Sequence, residues 1–238
     1  MTNVPALVER IDGLLQARGT PERAAQEQRY LKSELDHYGV TVPAVRAVVK
    51  ETTGKLALSH DELVDLAELL WAVPVHERRA AAAELLEQRV EQLRAGDIVG
   101  LERLLRESRT WALVDNLSAS VVGPLAEREE AVGPVLDRWA TDDDFWIRRS
   151  ALLANLIPLR QGRGDFDRFT RYADLMLDEK EFFIRKAIGW VLRDTGKLRP
   201  ELVFDWLLPR ASRTSGVTLR EAVKYLPEAD RATILAAR

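Results

Sequence analysis

Apolar residues recur along the chain with the period of a helix. Val4, Leu7, Val8, Ile11, Leu14 and Leu15 stand three or four apart and form one stripe of a helix over residues 4–17. Gly19-Thr20-Pro21-Glu22 then breaks the pattern, with Thr20 placed to cap the next helix and Pro21 in its first turn, where a missing N–H is no loss. The same grammar recurs. Ser59-His60-Asp61-Glu62 opens a helix that runs to Trp71, Pro74 starts the next, and Asp144, Glu181 and Pro200 lie near later starts. Leu and Ala make up about 27% of the residues, β-branched runs and Asn-Gly hairpin signals are missing, and the one Asp-Gly pair, Asp12-Gly13, falls inside the first apolar stripe. The expected fold is all-α.

An internal repeat refines this. Asp144-Phe145-Trp146-Ile147-Arg148-Arg149-Ser150-Ala151 matches Glu181-Phe182-Phe183-Ile184-Arg185-Lys186-Ala187-Ile188 at a shift of 37, in the order acid, aromatic, aromatic, Ile, base, base. A fainter echo, His76-Glu77-Arg78-Arg79-Ala80, lies 70 residues before Trp146, and half that shift lands on Trp111. A period of about 35 to 40 residues with two helices per unit is HEAT-like. Such units bury a continuous core only by stacking, so residues 1–238 are expected to form a single α-solenoid domain with a concave binding face. His76, Trp111, Trp146 and Phe183 should then fall in register along that face.

Composition removes several chemistries. The chain has no Cys, which excludes disulfides, thiolate zinc sites, iron–sulfur clusters and cysteine nucleophiles. Three widely spaced histidines, His37, His60 and His76, point away from an ordinary His-based metal site, and neither metal nor cofactor is expected. No apolar run reaches the roughly 18 to 20 residues of a membrane helix, and Glu9 and Asp12 interrupt the first helix where a secretory signal needs continuity, so the expectation is a soluble, cytoplasmic protein. The formal charge of −3 argues at first against nucleic acid. It is an average: residues 182–238 hold 11 basic and 6 acidic side chains, net +5, and the rest is net −8.

The residues that could carry chemistry follow from these elements. Trp111 and Asp115 are four apart and share a helix face, an indole one turn from a carboxylate. In isolation a core Trp and a solvated Asp explain the pair as well; alternatively the acid stabilises a developing cation while the ring holds a sugar or a cationic base. Arg148 and Arg149 follow Trp146, and only one of the two can point into a groove, because neighbours on a helix are about 100° apart. Lys186 and Trp190 lie on one stripe with Phe183. Arg220 and Lys224 form another basic stripe, suited either to solvent or to a phosphate strand. Asp142-Asp143-Asp144 reads as a helix cap, and Gln161-Gly162-Arg163-Gly164 lacks the context of a phosphate-binding glycine loop. The Gly-x-Ser-x-Gly, His-Glu-x-x-His and Walker motifs are absent.

The run Lys180-Glu181-Phe182-Phe183-Ile184-Arg185-Lys186-Ala187-Ile188-Gly189-Trp190-Val191-Leu192-Arg193 closely resembles the signature of the AlkD-like DNA alkylation repair family, the HEAT-repeat alkylpurine DNA glycosylases. Arg29-Tyr30-Leu31-Lys32, Leu70-Trp71, Trp111 with Val114-Asp115, Phe145 to Arg149 and Arg220 to Lys224 add matches in family order over nearly the whole chain. The resemblance implies a monofunctional glycosylase that excises positively charged N3- and N7-alkylpurines from double-stranded DNA, as a monomer and without turning the base into a pocket. Carried over position by position, it gives Asp115, Trp111 and Trp190 the contacts with the lesion-bearing sugar and Arg149 a place at the DNA backbone. Arg148 is off by one from the motif, and Lys186, Tyr30 and Lys224 fall on DNA-contacting positions. The family often has Trp-Trp-Asp-Ser-Val-Asp where this chain has Thr110-Trp111-Ala112-Leu113-Val114-Asp115, so one aromatic and one acid are missing and the lesion range is open. Two further readings remain at this level: a catalytically silent HEAT module that binds distorted or branched DNA, and a protein–protein scaffold.

Overall fold

The computed structural model describes residues 2–238 and is all-helical; the only β feature among the described residues is an isolated parallel bridge between Asp36 and Val75. The chain divides into two compact units, Met1–Leu117 and Ser118–Arg238.

The first unit contains α1 (Val4–Arg18), α2 (Pro21–Leu31), α3 (Val42–Thr53), α4 (His60–Trp71), α5 (His76–Gln88), α6 (Ile98–Ser108) and α7 (Trp111–Asn116). The expected caps are present. Thr20 Oγ1 accepts the Arg23 amide, and Ser59 with Glu62 closes a reciprocal capping box. α5 packs against both α3 and α4, and its Ala81, Ala82 and Ala83 are fully buried, because a small side chain is what lets a central helix approach two neighbours. Ile11, Leu15, Val48, Val49, Leu66, Leu70 and Trp71 complete this core. Pro74 does not start α5. The chain stays extended there, with the Pro74 carbonyl accepting the Asp36 amide at 3.0 Å, and the helix begins at His76. His76 is 6% exposed and lies in the core, so it lines no binding face.

The second unit contains α8 (Gly123–Arg128), α9 (Gly133–Trp139), α10 (Phe145–Leu153), α11 (Leu156–Arg160), α12 (Phe166–Met176), α13 (Phe182–Thr195), α14 (Pro200–Leu207), α15 (Gly216–Ala222) and α16 (Glu228–Ala236). α13 is its central helix and packs on α10, α11 and α15. The sequence repeat appears here as structure: Asp144 caps α10 through the Trp146 amide at 2.8 Å, and Glu181 caps α13 through the Phe183 amide at 3.2 Å. Gly189 makes the α13–α15 approach possible. A Cβ there would sit 2.9 Å from the Thr218 carbonyl oxygen and from Glu221 Cβ.

Polar side chains also follow the period. Arg46 meets Glu84 38 residues on, Trp71 meets Glu107 after 36, Glu127 meets Arg163 after 36, Asp137 meets Tyr172 after 35 and Arg160 meets Asp194 after 34. Within each unit a side chain therefore meets the one a repeat away, as stacked helical repeats require. No helix among the described residues is long and apolar enough to cross a membrane.

Candidate functional site

In the first unit, α7 turns Leu113 and Val114 into the core and leaves Trp111 and Asp115 half-buried on the opposite face, one turn apart. Tyr30, at the end of α2, is 71% exposed and stands edge-on to Trp111, with ring centroids 5.8 Å apart and planes at 85°. Asp115 is not an isolated carboxylate; it has interactions of its own. Beside this face, Arg79 donates to the carbonyls of Trp71 and Glu107 and stacks 5.0 Å from the Trp71 ring centroid. Burial lowers its pKa, but a guanidinium remains charged. Directly after α7 the backbone widens into a π-helical stretch, Leu117–Val122, a feature often found near functional residues.

In the second unit, Lys186, Trp190 and Arg193 lie on one stripe of α13. Arg193 stands 6.0 Å from the half-buried Trp190 ring, and both Lys186 and Arg193 bind the carboxylate of Glu221 on α15. The Lys186 hydrogen bond, followed by that of Arg193, holds the Glu221 carboxyl below its usual range against the effect of burial. Lys186 therefore carries a fixed counter-ion. Lys224, in the short 3₁₀ turn Val223–Tyr225, is exposed and has no carboxylate partner among the described residues; the same holds for Arg220.

The two adjacent arginines diverge. Arg148 is bidentate to Glu179, at 2.9 and 2.8 Å, and donates to the carbonyls of Asp142 and Asp143 at 2.6 and 2.9 Å. Arg149 is 2% exposed; it donates to the Phe183 carbonyl and lies 5.7 Å over the Phe183 ring. Around them Phe145, Trp146, Phe182 and Phe183 form one aromatic cluster, with Trp146 and Phe183 at 4.9 Å. Trp146 and Phe183 thus meet as the repeat predicts. Glu179 and Glu221 did not stand out in the sequence, although each lies about one period after the cation it binds, by 31 and 35 residues.

A family model described as "DNA alkylation repair enzyme" matches residues 11–226. The chain belongs to the DNA alkylation repair enzyme family. Among solved structures of this fold, a predicted DNA alkylation repair enzyme from Enterococcus faecalis is 25% identical, with a TM-score of 0.77, over 89% of this chain and 98% of that one. A second, the smu.31 protein of Streptococcus mutans UA159, is 15% identical with a TM-score of 0.59, over 87% and 98%, and shares the fold. No curated protein sequence matches. Membership of the DNA alkylation repair enzyme family gives the chain a role in repair of alkylated DNA and makes DNA its partner.

Proposed function

We propose that the protein is a DNA glycosylase that hydrolyses the N-glycosidic bond of N3- and N7-alkylated purines in duplex DNA. The observation that carries this reading is the half-buried Trp111–Asp115 face of α7, with Tyr30 packed edge-on against the indole.

The chemistry needs little else. A purine alkylated at N3 or N7 already bears a positive charge, so it leaves as a neutral base without protonation by a general acid. The bond to C1′ breaks with its electron pair going to the purine, and the sugar takes on oxocarbenium character. Water then adds at C1′ and loses a proton, leaving an abasic site and the free base. Asp115 is assigned the stabilisation of the cationic sugar and the positioning of that water. Trp111 is assigned the electron-rich ring face toward cationic sugar and base, and Trp190, in the second unit, is carried over from the family resemblance as a further lesion contact. Tyr30 and Lys224, both exposed, are assigned DNA contacts, Lys224 as a phosphate ligand. Lys186 joins them through a cation already set by Glu221. Buried Arg149 is assigned the backbone-side role through its hold on the start of α13. Arg148, whose donors are engaged by Glu179 and two carbonyls, is assigned no direct DNA contact and holds the loop before α10.

The test is release of free 3-methyladenine and 7-methylguanine from methylated duplex DNA by the wild type and by Asp115→Asn. Release that the variant loses supports the reading. DNA binding without release by the wild type replaces it with a silent DNA-binding module, and no DNA binding at low salt leaves a protein-binding scaffold.

A further inference from the structure

The first unit gathers two of the three histidines with two glutamates in one group, in which His76 and Glu77 are buried and Glu27 and His37 half-buried. Glu27 comes from α2, His37 from the loop before α3 and Glu77 from the first turn of α5; one donor atom from each lies within 4.8 Å of the others. The rings of His37 and His76 stack in parallel, with centroids 4.7 Å apart and planes 11° apart, so His76 fixes the plane of the His37 ring.

The bonding inventory is uneven in an informative way. Glu77 is fully buried and seated in a backbone nest: Oε1 accepts the amides of Gly39 and Val40 at 2.6 and 3.0 Å, and Oε2 accepts that of Tyr38 at 2.9 Å. Gly39, at φ +81°, supplies the left-handed residue this nest needs. Oε2 keeps one acceptor position. By contrast, both ring nitrogens of His37, Nδ1 of the 6%-exposed His76 and Oε2 of Glu27 are buried and meet no protein donor or acceptor. Buried polar groups nearly always have partners, so four unpartnered atoms in one cluster point to a ligand. Burial pushes both histidines down, His76 to about 4. Burial also raises the Glu27 carboxyl, against the effect of Arg23, whose Nη2 is 3.4 Å from Oε1.

We propose that Glu27, His37 and Glu77 form a binding site for a divalent first-row transition ion of the Zn²⁺ class. One imidazole nitrogen with two carboxylate oxygens is a mixed donor set that such ions take, whereas an all-oxygen set would favour Mg²⁺ or Ca²⁺. Ligand atoms around a tetrahedral ion with bonds of about 2.1 Å lie roughly 3.4 Å apart, within side-chain adjustment of the observed spacing. A shallow cleft lined by Arg23, Gln26, Glu27 and Tyr30 lies on the Glu27 side of the group. The ion would tie α2, the following loop and α5 together one turn before Tyr30, the ring packed on Trp111. The site stands independently of the proposed glycosylase reaction.

The test uses the full-length chain stripped with a chelator and titrated with Co²⁺, followed by visible absorption, and with Zn²⁺, followed by calorimetry and thermal melting. Expected are one equivalent per chain, the absorption bands of a low-coordinate nitrogen–oxygen site, a rise in Tm with Zn²⁺, and at least tenfold weaker binding in Glu27→Gln and His37→Asn. Glu27→Gln is nearly isosteric and half-buried, and its metal-free melting curve and helical circular dichroism check its fold. The Co²⁺ spectrum of the wild type does not depend on any variant. A spectrum of hydrated Co²⁺ alone, no stoichiometric binding at millimolar metal, or binding that both variants leave unchanged overturns the proposal.

Discussion

Replacing Gly189 with Ala sets two effects of known sign against each other. Within a helix, Gly→Ala stabilises by roughly 0.5–1 kcal/mol, because the unfolded chain loses freedom it would otherwise regain. At Gly189 the new Cβ would stand 2.9 Å from the Thr218 carbonyl oxygen, 2.9 Å from Glu221 Cβ and 3.1 Å from Thr218 Cα. Ordinary carbon contacts are about 3.5–4.0 Å, so α13 and α15 must separate by several tenths of an ångström. Two of the three atoms belong to backbone, which cannot swing aside. Overpacking of this kind costs about 1–3 kcal/mol and outweighs the helix gain. Gly13 supplies the control: it is exposed in α1, and a Cβ there would meet nothing within 4 Å. Gly13→Ala should therefore raise Tm and Gly189→Ala lower it, and at about 2–4 °C per kcal/mol for a chain this size the gap between the variants is several degrees. Thermal and urea unfolding followed by circular dichroism, each variant against wild type, reads it out. Equal stabilisation by both changes would refute the close approach of α13 and α15.

Other consequences follow from particular side chains. His60 bonds Asp61 and both oxygens of Asp97, hydrogen bonds that raise its pKa above 6.5; the stabilisation is complete below the unfolded value and is lost as pH rises through the folded one. Unfolding free energy should thus fall as pH rises from 6.5 through the folded value, and His60→Gln should flatten that slope in urea titrations at several pH values. Arg148→Ala should lower stability by about 1–3 kcal/mol through loss of the Glu179 pair and two carbonyl bonds, while leaving DNA affinity, measured by fluorescence anisotropy, nearly unchanged. Lys224→Ala should do the reverse: unchanged Tm, and a salt dependence of duplex binding whose logarithmic slope is shallower by about one.

The helices were legible because their apolar periodicity is regular and their N-termini carry side-chain caps; Thr20, Ser59, Asp144 and Glu181 all cap as their sequence context suggests. Pro74 misled by two residues, since proline also suits an extended segment and a tertiary hydrogen bond from Asp36 decided between the two. Trp111 and Asp115 were legible as a pair from helix phase, whereas Tyr30 entered only through the resemblance and its packing on Trp111 came with the fold. What a side chain meets was not: Arg148 and Arg149 are alike in sequence, yet one is spent on Glu179 and the other is buried against Phe183. Spacing also hid the grouping of His37 and His76, which are distant along the chain and stacked in the fold.

The repeat-length spacing of the polar ties bears on how quickly the chain reaches its structure. Pairs such as Arg46–Glu84, Glu127–Arg163 and Asp137–Tyr172 close loops of 38, 36 and 35 residues in a chain of 238, and the helices between them close shorter ones. Relative contact order is then low for the chain's length, and the entropy of bringing partners together is met one repeat at a time. Within the second unit these ties let a newly made helix pair find its partner in the preceding repeat, whereas Thr2–Glu62 and Glu34–Arg109 in the first unit wait for 60 and 75 residues of chain.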